Sequence, residues 1–219
     1  MNRITTLCSL AILVLGACSK EKVRGLDMPE LRLTAGIEAM TRATADNNAW
    51  TGGEQIAVEA TSSTGGIQPE VKIYTAAADG TLTTDIPFEW TRDDERKRFR
   101  AWYCADGSSA AGGANAAAAP DKWAVKADQR GEGYAQSDLL FAATEVSYSD
   151  HVADPVPMKF YHQTSKVVVN IVKSEYATSA ERISSVRIGG DLLFEASYVA
   201  PDAGGAMMGD WGSGGTRGT

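Results

Sequence analysis

Ser137–Val172 reads SDLLFAATEVSYSDHVADPVPMKFYHQTSKVVVNIV. Its first part, Asp138-Leu-Leu-Phe-Ala142, is a short apolar run, the pattern of a strand buried on both faces. Two alternating sets follow. Val156, Met158 and Phe160 are even-numbered, whereas Val167, Val169 and Ile171 are odd-numbered. One regular strand turns successive side chains to opposite faces, so it cannot bury both sets on one face. The stretch therefore predicts a core strand, a loop, and two strand segments of opposite parity. A bulge, bend or turn falls between Phe160 and Val167, hinged at His162.

Upstream, the same period of two recurs. Leu31, Leu33, Ala35, Ile37 and Ala39 fall on one face of an extended Leu31–Met40, opposite Arg32, Thr34 and Glu38. Trp50-Thr-Gly-Gly turns into a strand with Ile56 and Val58 inward. Val71 and Ile73 share one side of the next strand, and Asp79-Gly80 marks a hairpin. Phe99, Ala101 and Tyr103 share a face, with Trp102 on the other. Ser108–Pro120 is an Ala/Gly/Ser-rich loop and Lys122–Gly133 reads as irregular. No helical periodicity is sustained between Arg24 and Lys173. The fold class is all-β, a β-sandwich.

Composition narrows the function. The chain has 219 residues and a formal net charge of -7. Its basic run Arg96-Lys97-Arg98 directly follows Asp93-Asp94-Glu95 and is self-neutralising, which argues against a nucleic-acid partner. Of three cysteines, only Cys104 lies in the body of the chain, and it reads as a buried small hydrophobe. His162 reads as a histidine satisfying a bend. Neither it nor His151 has a partner at metal-ligand spacing. Asp128, Glu132 and Asp138 lack the alternating pattern of a calcium loop. Gly209–Gly215 has no strand-then-helix frame for phosphate. Trp102 and Trp123 read as core aromatics before sugar platforms. No catalytic constellation, metal or cofactor is indicated.

The N-terminus carries its own signal. Arg3 precedes the apolar run Leu10–Leu15, which is too short to span a bilayer. Leu15-Gly16-Ala17-Cys18 resembles the bacterial lipobox. By that resemblance residues 1–17 are a lipoprotein signal peptide, cleavage falls between Ala17 and Cys18, and Cys18 carries the lipid. Several acyl chains hold a protein firmly where one does not. Ser19-Lys20-Glu21 is similar to the signal that sends Bacteroidetes lipoproteins to the outer face, and residues 18–30 read as a tether.

The motifs together resemble a family. Trp50-x-x-x-Glu54-x-Ile56-x-Val58, Phe99-x-Ala101-x-Tyr103, Asp138-Leu-Leu-Phe-Ala142 and Met158-x-Phe160-x-His162-x-x-Ser165-Lys166-Val167-x-Val169-x-Ile171 are similar, in order and spacing, to the fimbrillin-like lipoproteins of Bacteroidetes. So are Thr41-Arg-Ala-Thr44 and Ile183–Ile188. The resemblance implies a transthyretin-like sandwich over residues 31–178 and the start of a second β domain over 179–219. The 37 residues from Ile183 to Thr219 leave that second domain incomplete, since units below about 40 residues rarely fold unaided. It also implies a surface-exposed lipoprotein of the cell outer membrane, serving as a pilus (fimbria) subunit, accessory or tip component.

In pilus-forming members an Arg-specific protease cuts near the N-terminus, and other fimbrial subunits supply a donor strand by donor-strand exchange. Carried onto this chain, the cut falls between Arg42 and Ala43, and the displaced strand holds Leu31, Leu33, Ala35, Ile37 and Ala39. The alternative is a surface lipoprotein that does not polymerise and binds glycan or protein ligands on host or bacterial surfaces.

Overall fold

A computed structural model of the chain describes residues 28–38, 48–63, 68–108, 119–176, 178, 182, 183, 185, 186, 193–201 and 207–217. Its strands are β1 (Leu33–Glu38), β2 (Gln55–Ser62), β3 (Glu70–Ala76), β4 (Thr81–Thr83), β5 (Arg96–Cys104), β6 (Lys122–Ala124), β7 (Leu139–Ser147), β8 (Val156–His162), β9 (Leu193–Val199), β10 (Asp210–Trp211) and β11 (Thr216–Arg217). One short helix, α1 (Tyr148–His151), links β7 to β8. The all-β reading holds. In place of the two open sheets of a sandwich, seven of the strands form a closed sheet, in the order β1-β4-β3-β2-β5-β7-β8 and back to β1, with a second small sheet beside it. Closure removes the free edges that an open sheet would present.

The barrel interior is filled by one face of each strand: Leu31, Leu33 and Ala35, then Ile56 and Val58, Tyr74 and Ala76, Phe99 and Ala101, Leu140 and Ala142, and Val156, Met158 and Phe160. The alternation read from the sequence is therefore the inward parity. Several strands are buried on their outer face too. Ala57, Trp102, Cys104, Leu139 and Phe141 point out of the barrel into a second core with Trp123 and Tyr198. Val71 and Ile73 share a side as expected, and it is this outer one. The cover is a small sheet centred on β9, which pairs with β6, β10 and β11. Lys122–Gly133, expected to be irregular, thus contributes β6 and a short 3-10 turn, Gly131–Gly133. Alternation is invisible over three residues, so β6 exists because β9 pairs with it.

The buried charges inside this framework are paired, whereas the Trp90 indole N–H and Arg100 Nε are buried without a hydrogen-bond partner. Glu95, fully buried, accepts from Lys97 Nζ at 2.7 Å and from the Thr91 amide at 2.7 Å. Arg96 and Arg98 lie 3.0 and 3.9 Å from Glu145 on β7. The basic run is neutralised as expected, though across strands as well as within its own turn.

The second expected strand of the opening stretch does not form. β8 ends at His162, the chain bends at Gln163–Thr164, and 165–174 has no strand or helix. Val167, Val169 and Ile171 are 59%, 51% and 52% exposed. The break predicted by parity is present, but the lane beside β8 is already occupied by β1.

Candidate assembly groove

β1 holds most of the strand that the sequence resemblance expects to be displaced. Leu31 and Leu33 are each 1% exposed, Ala35 is buried and Ile37 is half-buried, while Arg32 and Gly36 face out. Burying a Leu side chain contributes roughly 1.5–3 kcal/mol, so two such residues give β1 a firm apolar hold. Ala39 lies outside the described residues.

The two flanks of β1 are unequal. Against β8 it forms a parallel ladder from Leu33↔Val156 to Glu38↔Tyr161, extended by the Val156 amide donating to the Arg32 carbonyl at 2.9 Å. Against β4 it has only two antiparallel pairs, Leu33↔Leu82 and Thr34↔Thr81. Beyond them a cleft of about 390 Å³ opens between β1 and β4, lined by Leu31, Leu33, Tyr74, Leu82 and Pro87 among others. Further polar contacts hold the ends. The Leu31 amide donates to the Phe88 carbonyl at 2.9 Å, and the Arg32 guanidinium donates to the Ala153 carbonyl.

Two contacts on β1, from Trp50 and from Gly80, were not legible in the sequence. The Trp50 indole N–H donates to the Ala35 carbonyl at 3.0 Å, and its ring stands edge-on to Phe160 and Tyr103. The Ala35 amide donates to the Gly80 carbonyl at 2.7 Å. Gly80 has φ +84, and a Cβ there would lie 2.3 Å from the Ala35 carbonyl oxygen. The Asp79-Gly80 signal correctly marked the hairpin, yet nothing in a local pattern reveals that its turn docks on a strand 45 positions away. Glu54 holds the turn that aims Trp50. Its carboxylate accepts from the Thr51 amide and hydroxyl and from the Gly52 amide, at 2.7, 2.6 and 2.8 Å. Burial pushes this carboxyl up, but those hydrogen bonds outweigh it and leave it below the usual range.

The remaining candidates fall elsewhere. Ala17, Cys18, Arg42 and Ala43 lie outside the described residues, as do Arg187 and Ile188. Trp102 and Trp123 are buried in the second core, which removes both as sugar platforms. His162 closes the bend, with Nδ1 2.9 Å from Asp138 Oδ1 and Nε2 3.2 Å from Asn48 Oδ1. Asp128 pairs with Arg130, so it does not gather with Asp138. Gln163 anchors the small sheet: its side chain donates to the Met207 carbonyl and accepts from the Tyr198 hydroxyl and the Gly209 amide. Cys104 is buried, and burial pushes its thiol up to about 11.

Comparison with known proteins places the chain. No curated protein matched, and no solved structure matched. The sequence model of the Fimbrillin-like family matches residues 41–204. That span takes in β2 to β9 and starts after β1. The family is one of structural, fimbrial surface proteins rather than enzymes. With most of its length matched, the chain belongs to the fimbrillin-like family.

Proposed function

We propose that the chain is a fimbrillin-type surface lipoprotein whose β1 is a removable strand. One observation carries this reading: β1 completes both the hydrogen-bonding circuit and the apolar core, yet it stands at the N-terminal end, before the family-matched span. A cut after Arg42 severs it from the rest of the barrel. Its departure uncovers the β8 edge and a groove lined by Tyr74, Leu82, Phe160 and Met158. An extended segment from another fimbrial subunit fills that lane by donor-strand exchange, because exposed backbone groups and alternating pockets suit a strand. Cys18 anchors the unprocessed protein in the outer membrane through its lipid.

The test is treatment of the whole protein with an Arg-specific protease. The reading expects a new N-terminus at Ala43 and a ladder of oligomers that resist mild detergent. An intact Arg42 and no ladder would favour the non-polymerising, ligand-binding alternative.

A further inference from the structure

The exposed run Val167–Val172 has the composition of a strand and no strand partner among the described residues. It follows β8 after only four residues, Gln163–Lys166. Four-residue loops are ordinary hairpin connections, and Thr164-Ser165 is good turn chemistry. Folding Val167–Lys173 back along β8 pairs His162 with Val167, Phe160 with Val169 and Met158 with Ile171. Directly opposed residues in an antiparallel pair point to the same face. A loop with an even number of residues therefore turns the odd-numbered Val169 and Ile171 to the same side as the even-numbered Phe160 and Met158. The parity switch in the sequence is what a hairpin requires.

The lane that this hairpin needs is the one β1 occupies. Val156 directs its amide toward β1, as its bond to the Arg32 carbonyl shows. By alternation Met158, Phe160 and His162 do the same. Gln163 directs its amide the other way, to the Leu139 carbonyl of β7. Pro157 has the parity of Gln163, so its missing N–H falls on the β7 side and leaves the β1 lane fully equipped.

We infer that Val167–Ile171 is an internal substitute for β1, held out of the barrel while β1 is in place and folding back along β8 as an antiparallel hairpin when β1 leaves, until a donor strand takes the lane. The substitution is partial. Val169 takes the place of Ile37, opposite Phe160, and Ile171 takes that of Ala35, opposite Met158. Lys173 falls at the place of Leu33, opposite Val156, and its charge ends the fit there. The hairpin covers the half of the groove near the bend and leaves the Leu31–Leu33 end open. It gives up the contact of Lys166 Nζ with the Tyr134 ring, 4.9 Å from the centroid, a small loss at an exposed site. The inference rests on the proposed departure of β1. It does not require Arg42 to be the cut or another subunit to be the donor, so a failed protease ladder leaves it standing.

Disulfide trapping in the full chain tests it. Lys159 and Asn170 are exposed, and the hairpin sets them directly opposite each other in a non-hydrogen-bonded pair, the closer of the two kinds. Lys159→Cys with Asn170→Cys is expected to cross-link within one chain under mild oxidation. Adding Leu33→Asp, which loosens β1, should speed that cross-link about tenfold or more. Gly80→Ala loosens β1 without burying a charge and serves if Leu33→Asp fails to fold. Lys159→Cys with Val168→Cys, two residues out of register, should stay slow in every background. Three outcomes would overturn the inference: equal rates in both registers, no acceleration when β1 is loosened, or disulfide-linked dimers in place of the intrachain product.

Discussion

The Trp50 indole N–H and the Ala35 carbonyl meet at 3.0 Å, tying the loop before β2 to the middle of β1. Trp50→Phe keeps an aromatic ring against Phe160 and Tyr103 but leaves the Ala35 carbonyl without this donor. An unmatched buried group is expected to lower stability by about 1–3 kcal/mol. Denaturant unfolding measures that loss, and hydrogen exchange should show β1 amides opening before those of β5 and β7.

Gly80→Ala acts on the same strand from the other side. The substitution meets both a positive φ and the Ala35 carbonyl oxygen. Strain of this kind is worth roughly 1–3 kcal/mol, and the turn must back away from β1. The expected result is a lower thermal midpoint and faster proteolysis upstream of β2, with the β5–β7 pairing unaffected.

Breaking the buried pair should have the largest effect. Lys97→Met leaves Glu95 buried without its cation, and loss of one partner from such a pair typically costs about 3–5 kcal/mol. The pair also gives a pH dependence. Burial pushes the Glu95 carboxyl up, but hydrogen bonds from Lys97, the Thr91 amide and Ser62 outweigh it and hold it below its ordinary 4.5. A carboxyl lowered in the folded state contributes stability that is fully present above its unfolded value and is lost as pH falls through the folded one. Acid titration of unfolding should therefore show a loss below about pH 4.5, and Glu95→Gln should flatten it.

Cys104 should be chemically silent in the folded protein. With its thiol raised to about 11, little thiolate exists at neutral pH, and the second core shields the sulfur. Iodoacetamide at pH 8 should leave it unmodified by mass spectrometry until denaturant is added.

Replacing Cys18 with Ala should abolish incorporation of labelled palmitate and release the protein from the membrane fraction. Unchanged incorporation would place the lipid elsewhere and sink the proposed anchor.

Much of the barrel was legible because its strands carry the pattern of what they bury. Leu31/Leu33/Ala35, Ile56/Val58 and Phe99/Ala101 alternate, and each set lies inside. The apolar run at Leu139–Ala142 was read as buried on both faces, and it is. What escaped was long-range. Nothing near Lys122–Ala124 announces β6, whose partner β9 begins 69 residues after β6 ends. Val167–Ile171 has every local mark of a strand, but local pattern cannot report that its lane is filled. The groove shows the same division. The face of β1 came from alternation, whereas its Trp50 and Gly80 contacts depend on closure of the sheet.

The parallel ladder between β1 and β8 joins the start of the described chain to positions more than 120 residues later. Pairings so distant in sequence form late, since the intervening loop must first be closed. During synthesis Leu31, Leu33 and Ala35 emerge early and wait for Val156–Tyr161 to appear. For that interval the newborn protein carries an unsealed core, and the order of its manufacture alone keeps the β1 seam open until β8 has been made.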